Sequence, residues 1–241
     1  MTQREFNTFG PVNPDEHYHV DRIAVKAALR TKIEKGRYLT LNAGRQMGKT
    51  TLFSEMIHEL ETNADYFGIL LDFELLRGFA GIELYERLGK HLADWREAFM
   101  PAAPLPLPMR NHGDFIDWLR ATIRHSGKRG VLIIDEFDAI DAEAMAPLLS
   151  LFRGMYLQRR QSNAFSLHSI LLVGVRNIPS ILGGTQSPFN IADQFVVPPF
   201  SADEVADLLL QHSRETGQLF LPTVIETIMA AFQMEDILYE L

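Results

Sequence analysis

The chain has 241 residues, 46% apolar and 22% charged, with no cysteine and a net charge of -8. That balance suits one globular α/β domain, alone or with a small appendage, and it excludes disulfides and thiolate metal sites outright. The acidic excess argues against a protein built mainly for broad binding to a phosphate backbone, so nucleic acid is not an expected partner. Arg153, Arg159 and Arg160 are the candidates for any local basic patch. No apolar run approaches membrane-spanning length and no basic-then-apolar signal opens the chain, so a cytoplasmic protein with no membrane partner is expected.

Residues 1–19 are rich in Pro, Asn, Asp and His without periodicity and read as an extended leader. An amphipathic helix then runs from about Val20 to Gly36, with Asp21 as a cap and Ile23, Val25, Ala28, Leu29 and Ile33 on one side. Arg22, near its start, is a candidate contact for a bound ligand. The alternative is a packing helix with a solvated Arg22.

Tyr38 to Leu41 is a short apolar run with the length of a buried strand. It leads through Ala43-Gly44-Arg45-Gln46-Met47-Gly48-Lys49-Thr50-Thr51 into a helical pattern carrying Leu52, Phe53, Met56, Ile57 and Leu60. Strand, glycine-containing loop and helix opening on G-K-T form the context of a phosphate loop. Backbone N–H groups at the helix start and the helix dipole would receive phosphate oxygens, which puts Gly44 through Thr51 in the binding set. Lys49 would reach the β- and γ-phosphates, and the Thr50 hydroxyl would be a ligand of Mg²⁺. The opening glycine of the pattern falls on Ala43, with a glycine one place later.

Tyr66 to Asp72 reads as a second buried strand, and Gly81 to Trp95 as a helix. Pro101 to Pro108 holds four prolines in eight residues and reads as a stiff connector. A helix over His112 to His125 precedes Gly130-Val-Leu-Ile-Ile-Asp135-Glu136, a buried strand that delivers carboxylates to the edge where α/β sheets bind ligands. Asp135 is placed to hold Mg²⁺, and Glu136 to orient and polarise water for in-line attack on a γ-phosphorus. Asp138 reads as a solvated loop residue and Asp141 as a helix cap.

Ala142 to Arg160 follows as a long helix, and Ser169 to Asn177 as the next strand. Arg176 at its end is a candidate for stabilising charge on the transferring phosphoryl group, with Asn177 as its rival and a plain loop start as the alternative. Phe195 to Val197 is a short fifth strand closed by Pro198-Pro199. Ser201 and Glu204 make a capping box for a helix running to about Thr216, with further helix from Thr223.

The ordered set A-G-R-Q-M-G-K-T-T, V-L-I-I-D-E, L-L-V-G-V-R-N, S-P-F-N-I and P-P-F-S-A-D-E-V resembles the AAA-like, STAND-type prokaryotic P-loop ATPases from about Gly10 to Gly217. The resemblance implies an ASCE-type parallel sheet of five strands in the order 5-1-4-3-2 between helices, and ATP with Mg²⁺ as ligand. It also implies Glu136 as hydrolytic base, Arg176 as a sensor-type arginine, and a helical lid after the fifth strand. The expected division is an ATPase domain over 1–200 and a partial helical lid over 201–241, since the tail departs from the family beyond about Phe220. The expected function is slow Mg²⁺-dependent ATP hydrolysis serving a nucleotide-controlled switch or assembly module, with self-association or an effector protein as partner. Arg153, Arg159 and Arg160 are guesses at an arginine supplied between copies. A non-hydrolysing nucleotide-binding scaffold and a small-molecule kinase are the alternatives, the latter disfavoured because an acid pair directly after a strand suits water activation.

Overall fold

The computed structural model describes residues 4–8, 10, 12–42, 48–62, 65–106, 108–159, 167–174, 190–228 and 230. The chain divides into two compact units, one of Leu29–Asn42 and Phe53–Val196, the other of Met1–Ala28, Ala43–Leu52 and Val197–Leu241.

The larger unit contains a parallel sheet of β1 (Tyr38–Asn42), β2 (Tyr66–Asp72), β3 (Arg129–Asp135), β4 (Leu167–Gly174) and β5 (Asp193–Val196). Its order is β2-β3-β4-β1-β5, the 5-1-4-3-2 arrangement expected. β3 and β4 are apolar almost throughout and nearly every residue is buried, as strands covered on both faces must be. β5, at the edge, alternates half-buried and exposed. Gly68 of β2 lies in register with Val131, and Gly130 is the next residue back on β3, so the two glycines open toward opposite faces. Ile57 of helix α2 (Lys49–Thr62) occupies the space at Gly68, and Ile123 of α4 (His112–Ser126) that at Gly130. Helices therefore press closely on both sides.

The main core joins Ile69, Leu71, Leu132, Ile134, Ile170 and Leu172 of the sheet to α3 (Gly81–Phe99), α4 and α5 (Ala142–Gln158). At roughly 25 cal/mol per Å² of apolar area removed from water, a cluster of this size is the principal stabilising term of the unit. The proline-rich connector is held by side-chain donors: Arg96 Nε reaches the Ala103 carbonyl at 2.6 Å and Trp118 Nε1 the Pro104 carbonyl at 3.2 Å. Asp141 caps α5 as expected, accepting the Ala144 N–H at 2.8 Å.

In the smaller unit the leader is not simply extended. It folds back on itself through a parallel bridge between Glu5 and His17, with the Glu5 N–H donating to the Glu16 carbonyl at 2.9 Å and the Tyr18 N–H to the Glu5 carbonyl at 3.0 Å. It also packs against α6 (Ala202–Thr216). Phe6, Tyr18 and His212 form a ring cluster with centroids 5.0–5.3 Å apart, Arg4 pairs with Glu215, and Gln211 Nε2 donates to the His19 carbonyl at 2.6 Å. Periodicity does not register such a segment, because its anchors are single aromatic and charged residues. The capping box of α6 is present, with the Ser201 hydroxyl accepting from the Glu204 N–H and the Glu204 carboxylate from the Ser201 N–H. Residues 222–228 are again helical. No helix among the described residues is long and apolar enough to cross a membrane.

Candidate functional site

In the smaller unit, Gly48 adopts φ +68°, a left-handed conformation that glycine takes without penalty, and α2 begins at the next residue. Lys49 is buried at 7% exposure, Thr50 is exposed, and the Thr51 hydroxyl accepts the Val12 N–H at 3.1 Å. The leader is thus fastened to the first turn of the helix that carries Lys49. Ala43, Gly44, Arg45, Gln46 and Met47 lie outside the described residues, as do Arg160, Arg176 and Asn177.

Arg22 corrects the solvated alternative, for only 4% of it is exposed. Its Nη2 donates to the carbonyls of Pro198 (2.5 Å) and Pro199 (3.2 Å), and its guanidinium lies 4.5 Å above the Phe200 ring. The Glu204 carboxylate stands 3.7 Å from Nε. Burial lowers the Arg22 pKa from its ordinary value, and the field of Glu204 opposes that. Nε, which faces the Glu204 carboxylate, and Nη1 are buried, and neither reaches an acceptor among the described residues at hydrogen-bond distance. A Cβ at Gly48 would lie 3.6 Å from the Phe200 ring, so that ring bridges the start of the phosphate-loop helix and Arg22. Phe200 escapes notice in the sequence, where it is one aromatic between a proline pair and a helix cap.

In the larger unit, Asp135 ends β3 with 5% exposure, and its Oδ1 accepts the Glu136 N–H at 3.0 Å. Asp72 ends β2 in register with it, so two carboxylates stand on adjacent strands at the edge where both strands finish. Glu136 adopts φ 49°, ψ 41° and is the only described residue other than glycine with positive φ. Such a conformation costs roughly 1–2 kcal/mol and re-aims the chain just after the strand. The turn is held by Phe73 and Phe137, fully buried with ring centroids 5.8 Å apart, and by the Phe73 N–H donating to the Asp135 carbonyl at 2.9 Å.

Asp138 is buried at 5% exposure, not solvated as expected, and packs against Gly174, the last residue of β4. The 3-10 turn over Phe137–Ala139 turns it inward, a conformation that hydropathy does not signal. Arg77, in the loop after β2, is a cation that sequence reasoning missed. Its hydrogen bonds to Glu74 (2.6 and 2.9 Å) are the main cause holding its pKa above the ordinary value, and Glu136 and Asp138 add to the field it feels. Among the described residues no cluster of three or more His, Asp or Glu could cage a metal. The fit for Mg²⁺ is therefore one or two carboxylates plus ligand oxygens, the mode that ion prefers.

No family model matches the chain, and no curated protein matches it. Solved structures do. The Walker-type ATPase PABY2304 of Pyrococcus abyssi superposes with a TM-score of 0.64 at 21% identity over 93% of this chain and 66% of that one. The ORC1 protein of Aeropyrum pernix, solved in complex with DNA, gives 0.54 at 14% identity over 82% of this chain and 50% of that one. Cdc6p of Pyrobaculum aerophilum gives 0.51 at 15% identity over 79% and 47%. The chain spans between about half and two-thirds of the length of these proteins. One of them is solved on DNA, so a net charge of -8 does not support excluding nucleic acid from this fold. The architecture shared with these proteins, a five-stranded parallel sheet in the order 2-3-4-1-5 flanked by helices, is the fold of P-loop ATPases.

Proposed function

We propose that this chain binds ATP with Mg²⁺ and hydrolyses it slowly, its nucleotide state serving as a switch of the AAA-like, STAND type. The observation that carries the reading is the placement of two motifs on one topology. G-K-T opens the helix after β1, with Gly48 in the left-handed conformation, and Asp-Glu ends β3, with the glutamate also left-handed. In this reading the backbone of Gly44, Arg45, Gln46, Met47 and Gly48 receives phosphate oxygens, joined by the N–H groups of Lys49, Thr50 and Thr51. Lys49 neutralises β- and γ-phosphate charge, while Thr50 and Asp135 hold the magnesium ion. Glu136 orients a water for in-line attack and accepts its proton, and Arg176 stabilises charge on the transferring group. Arg22, buried against the Phe200 ring, contacts the base or ribose through Nη1. Bound Mg²⁺ would supply charge neutralisation at the phosphoryl oxygens. An arginine from a partner commonly contributes 10³–10⁵ in rate to such enzymes, and slow turnover by the isolated chain follows from its absence.

Phosphate release and ATP binding measured side by side test the reading. Glu136→Gln should bind ATP like the wild type with phosphate release reduced by about 10² or more, and Lys49→Ala should lose most of its affinity. Wild-type turnover in Glu136→Gln, or undiminished binding by Lys49→Ala, would overturn it.

A further inference from the structure

We propose that the edge at which the strands of the sheet begin is a phosphate-backbone binding surface for nucleic acid, centred on Arg37, Lys128 and Arg129. The strands are parallel, so their first residues share one edge, and that edge is remote from the acids. Arg129 opens β3 and Asp135 ends it, six residue steps or about 20 Å away. Arg129 pairs in register with Tyr66, the start of β2. The register with β4 shifts at Gly130/Val131, which partner Leu167 and Ser169 and leave His168 as the extra residue of a bulge. Tyr38 pairs with Ile170, and the Ser169 hydroxyl donates to the Arg37 carbonyl at 2.5 Å, which fixes Arg37 at the same level on the next strand. Arg37 is thus level with Val131, two strand spacings across and two residues along from Arg129, about 12 Å away, a span of roughly three phosphates along one nucleic-acid strand.

Other cations surround this row. Arg124 lies in the last turn of α4, and Lys128 in the turn between α4 and β3. Lys35 lies in the turn between α1 (Ile23–Glu34) and β1, and Arg159 at the end of α5. Arg159 Nη1 donates to the His168 carbonyl at 2.6 Å, with its guanidinium 4.1 Å from the Tyr156 ring. Lys35, Arg37, Arg124 and Arg129 are exposed, and none of them, nor Lys128, pairs with a described carboxylate. The acids at this edge are Glu34, Glu59, Glu61, Asp65 and Asp193, of which Glu59 pairs with Arg30 at 2.8 Å and Asp193 with Lys32 at 3.2 Å. A chain of net charge -8 has therefore gathered, on one edge of its larger unit, cations that pair with no described carboxylate.

The character of the edge favours a phosphate backbone over an acidic protein. Protein interfaces are anchored by exposed aromatic and aliphatic side chains at their centre. Here Tyr38 and Tyr66 are buried beneath the cations, at 0% and 5% exposure, with Arg159 and Arg129 lying over their rings at 5.2 and 5.8 Å. Leu157, beside Arg159, and Phe99, whose ring meets Trp95 next to Phe67 at the start of β2, are large apolar residues exposed at this edge among those described, and both lie to the side of the Arg37–Arg129 row. What the edge presents is mainly charge.

The test is fluorescence anisotropy of a labelled 20-base-pair DNA duplex and a labelled 20-nucleotide RNA, titrated with the full chain from 25 to 200 mM salt. Each phosphate contact contributes about -0.9 on duplex, or about -0.7 on single strands, to the slope of log K against log salt. The triple variant Arg37→Gln/Lys128→Gln/Arg129→Gln should bind at least tenfold more weakly at 50 mM salt, with the duplex slope flattened by about 2.7. Arg37→Lys/Arg129→Lys, which keeps the charges, should retain the slope. Arg87→Gln on α3 should bind like the wild type, and so should Lys49→Ala, so that loss of the nucleotide site does not mimic loss of this one. Absence of wild-type binding to either probe at 25 mM salt would overturn the proposal. So would an unchanged slope in the triple variant, or retention on a poly-glutamate peptide with neither nucleic acid bound.

Discussion

Gly174 closes β4 directly against Asp138, and replacing it by alanine isolates that contact. A Cβ at this position would lie 2.6 Å from Asp138 Oδ1 and 2.9 Å from its Cγ, far inside an ordinary contact near 3.4 Å. Asp138 has little room to withdraw, because it is 5% exposed and its turn is held by the Ala139 N–H donating to the Glu136 carbonyl at 2.8 Å. Overpacking of this kind costs about 1–3 kcal/mol. Replacing glycine by alanine within a strand returns roughly 0.5–1 kcal/mol of that through the unfolded chain. The net loss is then about 1–2 kcal/mol, a fall in Tm of roughly 2–8 °C for a chain of this length. Thermal unfolding of Gly174→Ala measures it, and the same substitution made in an Asp138→Ala background checks the cause. With the carboxylate gone, the alanine should be neutral or stabilising. A wild-type Tm for Gly174→Ala, or an equal loss in both backgrounds, would refute the contact as the reason.

Arg22→Ala should lower stability by about 2–4 kcal/mol, because it strips a charged donor from the Pro198 and Pro199 carbonyls and uncovers the Phe200 ring; a Tm within 1 °C of wild type would contradict this. His91 and His168 are both held below the ordinary histidine value, first of all by burial. Their neutral forms are favoured in the folded state, so their contribution is complete above pH ~6.5 and is lost as the pH falls through their depressed folded values. Urea midpoints should therefore decline from pH 7.5 to 5.5, and His91→Gln should shallow the decline; a midpoint that is flat or rises toward acid would contradict it. Ser201→Ala removes one half of the α6 capping box and should cost about 1 kcal/mol by denaturant titration, whereas an unchanged midpoint would mean that the cap is idle.

The strands and the motifs at their ends were legible because buried parallel strands are short, continuous apolar runs, while their order in the sheet was implied by the family resemblance. Tyr66 to Asp72 and the run ending at Asp135 stand out on hydrophobicity alone. The interior helices followed from spacing and caps. What was illegible depends on single contacts made over long sequence distances. The leader is ordered by Arg4 reaching Glu215 and by His19 exchanging hydrogen bonds with Gln211, and neither pair leaves a local periodic trace. Asp138 reads as polar and therefore exposed, yet a 3-10 turn and the absent side chain of Gly174 make an interior place for it. Net charge is uninformative about local patches for a related reason. It sums over the chain, whereas Arg37, Arg124 and Arg129 are brought to one edge by strand register.

The central claim is that Lys49 and Asp135 serve one nucleotide. Calorimetric titration of ATP with and without Mg²⁺ tests it through the coupling between metal and nucleotide. Asp135→Asn should bind metal-free ATP like the wild type and lose the gain in affinity that Mg²⁺ brings, while Lys49→Ala should weaken both titrations. If Asp135→Asn kept the full gain from Mg²⁺, the two residues would not act on the same ligand, and the proposed function would fail.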